Sequence, residues 1–209
     1  MSAVVYHSCK RFIDLVFSLV LLILFLPFWI IVPILIKLDS KGPIIYKHRR
    51  VGLGGVEFDM IKFRSMVENA HNYLHQQDPE LLRRFKDNDW KLEKDPRITR
   101  VGRIIRSITI DEFPQLINVL KGDMSLVGPR AYMKQEIAEQ TVKYPQTKAL
   151  IKTVLTVKPG VTGPWQVSGR NELSFSKRAE LDASYASKKS LLNDLKIIVK
   201  TPKAMLSKW

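Results

Sequence analysis

The sequence predicts an α+β chain, mostly helical, with a small β-hairpin and an N-terminal segment that enters the membrane as a helix–break–helix. Three observations carry that expectation. Residues 15–36 (LVFSLVLLILFLPFWIIVPILI) contain no charge over 22 positions. A glycine cluster, Gly52-Leu53-Gly54-Gly55, separates two runs with strand-like composition. Most of the remainder is helix-prone sequence broken by Gly and Pro, with no internal repeat and no low-complexity tract.

The apolar run is long enough to cross a bilayer, at about 1.5 Å per helical residue against ~30 Å of hydrocarbon. It is too long for a signal peptide and lacks a small-x-small cleavage site. Pro27 interrupts it near the middle, which removes a helix hydrogen bond and kinks the rod. Both flanks are basic: Lys10 and Arg11 before, then Lys37, Lys41, Lys47, Arg49 and Arg50 after. Because basic flanks stay on the cytosolic side, a re-entrant hairpin satisfies both ends, whereas a kinked span satisfies one. The expected organisation is a re-entrant helix over residues 1–38, a cytosolic catalytic domain over 39–190, and a basic amphipathic interfacial tail over 191–209 ending in Trp209.

From Val67 to about Trp90 the chain is polar and helix-prone, with Asp78-Pro79 as an interruption. His71 and His75 lie four apart there, a spacing that suits a solvated surface pair better than a metal site with no third ligand in view. Residues 131–152 form an amphipathic helix broken at Tyr144-Pro145. Residues 158–171 (KPGVTGPWQVSGRN) make a loop with one strand, and 172–187 a helix carrying Asp182 and Tyr185. The glycines of the hairpin fit neither a dinucleotide fingerprint nor a P-loop.

The net charge of +14 points to an anionic partner: nucleic acid, lipid head groups or a phosphorylated substrate. The basic stretches alternate with aliphatics rather than aromatics, which argues against a nucleic-acid surface. A single cysteine, Cys9, excludes an intrachain disulfide framework and a cysteine zinc site.

Chemistry concentrates in residues 106–130 (RSITIDEFPQLINVLKGDMSLVGPR). Thr109 and Glu112 have capping-box spacing, so a helix is expected to begin near Ile110 and to stop at Lys121-Gly122. Asp111 and Glu112 then share its first turn, where acidic side chains ordinarily offset the helix dipole. Arg97, Arg100, Arg103 and Arg106 recur every third residue, either as a solvated helical face or as a ladder for phosphates. Gly128-Pro129-Arg130 is a stiff turn ending in a guanidinium.

KFRSM (62–66), DPRITRVGRIIRSITIDEFPQLINVLKGDMSLVGPR (95–130) and PGVTGPWQVSGRN (159–171) resemble, in order, the motifs of the bacterial sugar transferase family. Its members are monotopic phosphoglycosyl transferases that begin glycan assembly on a polyprenyl phosphate. The longer segment after residue 66 and the WQVSGRN spelling are similar to the hexose-1-phosphate branch of exopolysaccharide and O-antigen initiators. The chain looks like that catalytic core without the additional N-terminal membrane bundle of many such enzymes.

The resemblance implies that Asp111 attacks the UDP-sugar to give a covalent phosphosugar intermediate, with UMP leaving. Undecaprenyl phosphate then takes the phosphosugar. It implies catalytic roles for Asp111 and Glu112, and Mg²⁺ held by Glu112, with Asp111 as a further ligand left open. Arg106, Arg130, Lys62 and Arg64 are implied as phosphate ligands. Gly128, Pro129, Gly160, Thr162, Gly163, Gln166, Gly169 and Arg170 are implied as the substrate and nucleotide loop. A carboxylate can serve as the nucleophile once the donor's negative charge is offset by cations. Implied partners are the UDP-sugar, undecaprenyl phosphate and anionic membrane lipids, without nucleic acid, and a homodimer stays open. The implied location is the bacterial inner (plasma) membrane, with the catalytic domain on the cytoplasmic face. The chain departs from the family pattern at Leu26-Pro27 (commonly Ser-Pro), at Ala131 (commonly Pro) and at Pro164.

Two other classes set the contrast. A membrane-anchored binding protein would use the same charge without needing the Asp-Glu pair. A membrane nucleotidyltransferase or phosphatase would want more metal carboxylates or a histidine nucleophile beside it.

Overall fold

The structure, a computed structural model, describes residues 3–92 and 94–206. Trp209 therefore lies outside the described residues.

The chain opens with two helices, α1 (Ala3–Leu24) and α2 (Leu26–Asp39), bent by 61° at Phe25. No single helix among the described residues is long and apolar enough to cross a membrane; this bent pair together meets the length and composition. Pro27 sits in the first turn of α2, where its missing N–H costs no helix bond, so the proline opens the second helix rather than interrupting one. A second proline, Pro33, lies inside α2.

The outer face of the pair is apolar and exposed (Ile23, Leu24, Leu26, Ile30, Ile31), whereas Lys10, Arg11, Asp14 and Ser18 of α1 are turned inward. Lys10 forms an ion pair with Asp194 at 2.9 Å. Arg11 donates to the carbonyls of Val119 and Leu120 at 2.6 and 2.9 Å. Asp14 is buried and accepts from the Ser125 hydroxyl and the Leu126 N–H. At the far end, Asp39 accepts from the N–H of Val101 at 3.0 Å, and Val32 and Ile36 pack with Phe63, Ile105 and Ile110.

The hairpin forms as expected. Strands β1 (Ile45–Val51) and β2 (Glu57–Phe63) pair antiparallel, from Ile45 opposite Phe63 to Val51 opposite Glu57. Gly54 and Gly55 take positive φ in the connection. Short α3 (Ala70–Asn72) runs into a π-helical turn, Tyr73–Gln77; α4 (Pro79–Asp87) follows, with the Asp78 carboxylate accepting from Leu81 N–H as its cap. The interruption at Asp78-Pro79 is thus a helix start.

Helix α5 (Arg100–Ser107) is capped by Thr99, which places Arg97 outside it. Arg97 is buried, pairs with Asp95 through two nitrogens and lies 5.7 Å from the Phe85 ring centroid, so the every-third-residue pattern is not one helical face. Helix α6 (Gln115–Lys121) ends at Gly122, whose φ of 93° is the left-handed cap its position requires. Strand β3 (Ser125–Val127), which sequence patterning did not mark, pairs parallel with β4 (Gly160–Thr162). Between them lie α7 (Lys134–Lys143) and α8 (Thr147–Val154), separated at Tyr144-Pro145. Helices α9 (Phe175–Ser187) and α10 (Leu191–Met205) complete the body. α10 keeps Asp194 and Ile197 inward and exposes Leu192, Leu195 and Val199, an amphipathic division.

The cores are continuous with this arrangement. Phe58, Met60, Leu116, Val119, Met124 and Leu126 join the hairpin to α6 and β3. Tyr132, Ile151, Val154, Phe175, Ala179 and Ala183 join α8 to α9.

Candidate active site

Asp111 and Glu112 occupy a separate 3₁₀ turn, Ile110–Glu112, between α5 and α6. The expected capping box is absent. Thr109 has φ of 60°, a left-handed conformation costly for a β-branched residue, and its side chain caps nothing. Its hydroxyl instead accepts from Arg170 Nη2 at 3.0 Å. Arg170 also donates to the Ala204 carbonyl at 2.8 Å, so one guanidinium ties the turn to α10. Buried Ile110 and Pro114 fix the two ends.

The two carboxylates are treated differently. Asp111 is 2% exposed, and among the described residues its Oδ1 has no hydrogen-bond partner. Burial pushes its pKa up to about 6, against the pull of Lys62 and Arg106 and with the help of neighbouring Glu112. Glu112 goes the other way. Burial alone would raise it, but the Lys62 ammonium, 2.6 Å from Oε1, together with Arg170 and Arg130, holds it below the ordinary range. The turn therefore presents one firmly ionised carboxylate and one of higher basicity, side by side.

The remaining expected residues divide into two groups. Lys62, Arg106, Arg130 and Arg170 all lie near enough to act electrostatically on the dyad. Arg106 also donates to Ser65 Oγ at 3.4 Å. Arg64 is placed elsewhere: its guanidinium donates to Ser40 and to the Lys41 carbonyl, holding the exit of α2 rather than facing the dyad.

Gly128, Gly160 and Gly163 are places where backbones meet. A Cβ on Gly128 would lie 2.5 Å from the Lys158 carbonyl, and one on Gly163 only 1.9 Å from that of Gly128. Pro129 O accepts from Gly160 N, and Thr162 O from Gly128 N, so the Gly-Pro-Arg turn is stitched to the glycine-rich loop. Thr162 reaches Thr201 of α10 at 2.8 Å, Gln166 donates to the Val161 carbonyl, and Gly169 has φ of 128°.

Sequence reasoning missed a second charged centre behind Arg130. Arg50 from β1 and Arg178 from α9 are buried there with Glu136 of α7. Arg50 donates to the Ala131 carbonyl, the position where the family's second turn proline is missing. Arg130 lies 4.8 Å from the Trp165 ring centroid, and its backbone N–H donates to Asp182 Oδ2. Asp182 also accepts from the Tyr132 hydroxyl and is pushed up to about 7 by burial. One signal was available: Ala179, Ala183 and Ala186 share a helical face with Arg178 and Asp182, which marks that face as buried.

As a metal site the dyad offers two adjacent carboxylates. No group of three or more His, Cys, Asp or Glu side chains is gathered among the described residues, and the His71 and His75 rings lie 4.2 Å apart, tilted by 33°. Mg²⁺ takes one or two carboxylates and completes its shell from water and substrate phosphates. The unpartnered Asp111 Oδ1 beside Glu112 fits that donor set.

Residues 5–208 match the family model described as bacterial sugar transferase. The chain belongs to that family. It is 44% identical to an undecaprenyl-phosphate galactose phosphotransferase of Salmonella typhimurium, over 94% of this chain and 40% of that protein. It is 37% identical to the exopolysaccharide production protein ExoY of Sinorhizobium fredii, covering 95% of this chain and 86% of the relative. A UDP-glucose:undecaprenyl-phosphate glucose-1-phosphate transferase of Caulobacter vibrioides is 36% identical, over 95% and 70% respectively. The chain spans about two fifths of the length of several curated relatives that it matches.

Proposed function

We propose that the chain transfers a hexose-1-phosphate from a UDP-sugar to undecaprenyl phosphate at the cytoplasmic face of the inner membrane, through a phosphosugar bound covalently to Asp111. The observation that carries this reading is the Asp111 carboxylate: buried, with one oxygen unpartnered among the described residues, and surrounded by Lys62 and Arg106. Burial makes this carboxylate more basic than an exposed aspartate, while Lys62 and Arg106 favour its ionised form, a combination that suits a nucleophile.

An Asp111 oxygen attacks the sugar-bearing phosphorus of the donor. The new P–O bond forms as the bond to the oxygen bridging the two phosphates breaks, and UMP leaves with that electron pair. An oxygen of undecaprenyl phosphate then attacks the same phosphorus and the Asp111–phosphorus bond breaks, returning the carboxylate. Lys62, Arg106 and Arg130 offset the phosphate charge and hold the reacting groups in place. Glu112, with Asp111 as a further ligand, would hold Mg²⁺, which when bound supplies charge neutralisation at the donor phosphates. The names of the relatives support a hexose donor, galactose in one and glucose in another.

The lipid acceptor requires a site at the bilayer surface, and the bent pair supports one. Lys10, Arg11 and Asp14 of α1 and Asp39 of α2 all bind the same catalytic body. Both legs thus return to one side, which favours re-entry over a span. The exposed apolar stripe of α10 adds an interfacial surface.

The test is mass spectrometry of the protein after incubation with UDP-galactose or UDP-glucose and Mg²⁺, without acceptor. The expected result is a gain of one hexose phosphate at Asp111 that discharges when polyprenyl phosphate is added. Turnover to polyprenyl diphosphate sugar with no trapped adduct, and with Asp111→Asn still active, overturns the aspartyl route.

A further inference from the structure

The charged centre behind Arg130 has more cations than its carboxylates balance. Arg50, Arg130 and Arg178 converge on Glu136, which is 0% exposed. Arginine stays cationic here; burial and its neighbours lower Arg50, but only to about 10. Asp182, raised to about 7 by burial, contributes less than a full negative charge near neutrality. A carboxylate serving only as a counter-ion would be expected to grip one guanidinium through paired hydrogen bonds. Glu136 does something else. Its Oε2 accepts from the Met133 N–H at 3.3 Å and lies 3.7 Å from Arg50 Nη1. Its Oε1 makes no hydrogen bond among the described residues and lies 3.7 Å from Arg178 Nη1 and 4.0 Å from Arg130 Nε.

Arg50 and Arg178 are fixed in their own right, by the Ala131 and Asp89 carbonyls and by near-complete burial. Arg130 is the member that keeps contact with solvent, its side chain 24% exposed. Its backbone is held by Asp182, its face by the Trp165 ring, and its buried Nε edge faces Glu136. We propose that Glu136 is a positioning residue for the transfer reaction: wedged between Arg50 and Arg178, it sets a negative charge 4.0 Å from the Nε edge of Arg130 and orients that guanidinium by charge attraction, so that its opposite end is presented to the donor's phosphates. The two buried arginines do not reach substrate. They hold Glu136 in place and project positive potential outward through Arg130. The inference rests on the phosphoryl-transfer reading and adds a residue that the dyad and its adjacent cations do not include.

A double-mutant cycle between Glu136 and Arg130 tests it, with kcat/KM for the UDP-sugar as the readout and thermal unfolding as the check on folding. Glu136→Gln is expected to lower kcat/KM at least tenfold in the wild-type background and less than twofold in an Arg130→Lys background, since Lys has no Nε edge to orient. Equal losses in both backgrounds, or no loss in the first, overturn the proposal, because a purely structural glutamate would be felt whether or not Arg130 is present. If Glu136→Gln does not fold, Glu136→Asp keeps the charge and withdraws it by one methylene, and the same coupling is read from it. A wild-type protein that releases no UMP points to failure of the transferase reading. An active wild type with additive losses counts against Glu136 alone.

Discussion

Two buried aspartates have similarly displaced acidities and different surroundings. Asp111, near 6, sits in a three-residue turn with an ionised glutamate beside it and cations close by. Asp182, near 7, lies on the inward face of a 13-residue helix, with its Oδ2 engaged by a backbone N–H and a tyrosine hydroxyl. Each has a second oxygen without a hydrogen bond among the described residues. A raised pKa therefore does not distinguish a nucleophile from an internal strut. Cations act on both, Lys62 and Arg106 on Asp111 and Arg130 and Arg178 on Asp182, so what distinguishes them is the frame: Asp111 sits in a short turn beside Glu112, whereas Asp182 is committed through Oδ2 to the Arg130 N–H and the Tyr132 hydroxyl.

Replacing each aspartate by its amide gives the largest contrast. Asp111→Asn should lower turnover by about 10³-fold or more, as loss of an attacking group does. Asp182→Asn, whose amide oxygen can still accept from Arg130 and Tyr132, should cost no more than several-fold in a UMP-release assay. Comparable losses at both positions would dissolve the distinction. Next in size is Glu112→Gln, expected to lower turnover by roughly 10²-fold by weakening cation binding and freeing Lys62, with partial recovery as Mg²⁺ is raised.

The pH dependence separates the two residues more finely. Turnover should fall on the acid side with an apparent midpoint near 6 as Asp111 takes up a proton, and Asp182→Asn should leave that limb in place. The smallest effect concerns stability. Both groups have folded pKa values above the unfolded one, so the folded state favours their protonated forms. Their stabilising contribution is full below about 4 and is lost as pH rises through about 6 for Asp111 and about 7 for Asp182. At pH 8 each amide variant should therefore unfold at a higher temperature than the parent, by up to a few kcal/mol in free energy, and the gain should vanish near pH 4.

The dyad was legible in the sequence because its residues are contiguous and flanked by a helix stop and a proline turn, and the hairpin was legible from its glycines. The details of the turn were not. Thr109 and Glu112 have capping-box spacing, but the Thr109 hydroxyl is taken by Arg170, sixty-one residues away in the chain, and no local pattern encodes that competition. Arg97 looked like part of a solvated series until Asp95 and Phe85 enclosed it. The Arg50–Glu136–Arg178 centre was hidden for a similar reason. Each member lies on a separate element among other charges, and only the packing of α7, α9 and β1 removes them from water together.

The attachments of α1 and α2 have a mechanical consequence for the turn. Arg11 on one leg grips carbonyls in the last turn of α6, while Asp39 on the other accepts from the Val101 N–H in the first turn of α5. The dyad is the hinge piece joining those same two helices, so it hangs between the jaws of a clasp whose opening is the 61° angle at Phe25. The angle between the legs and the spacing of α5 and α6 are therefore linked, with Arg11 tying one leg to α6 and Asp39 tying the other to α5.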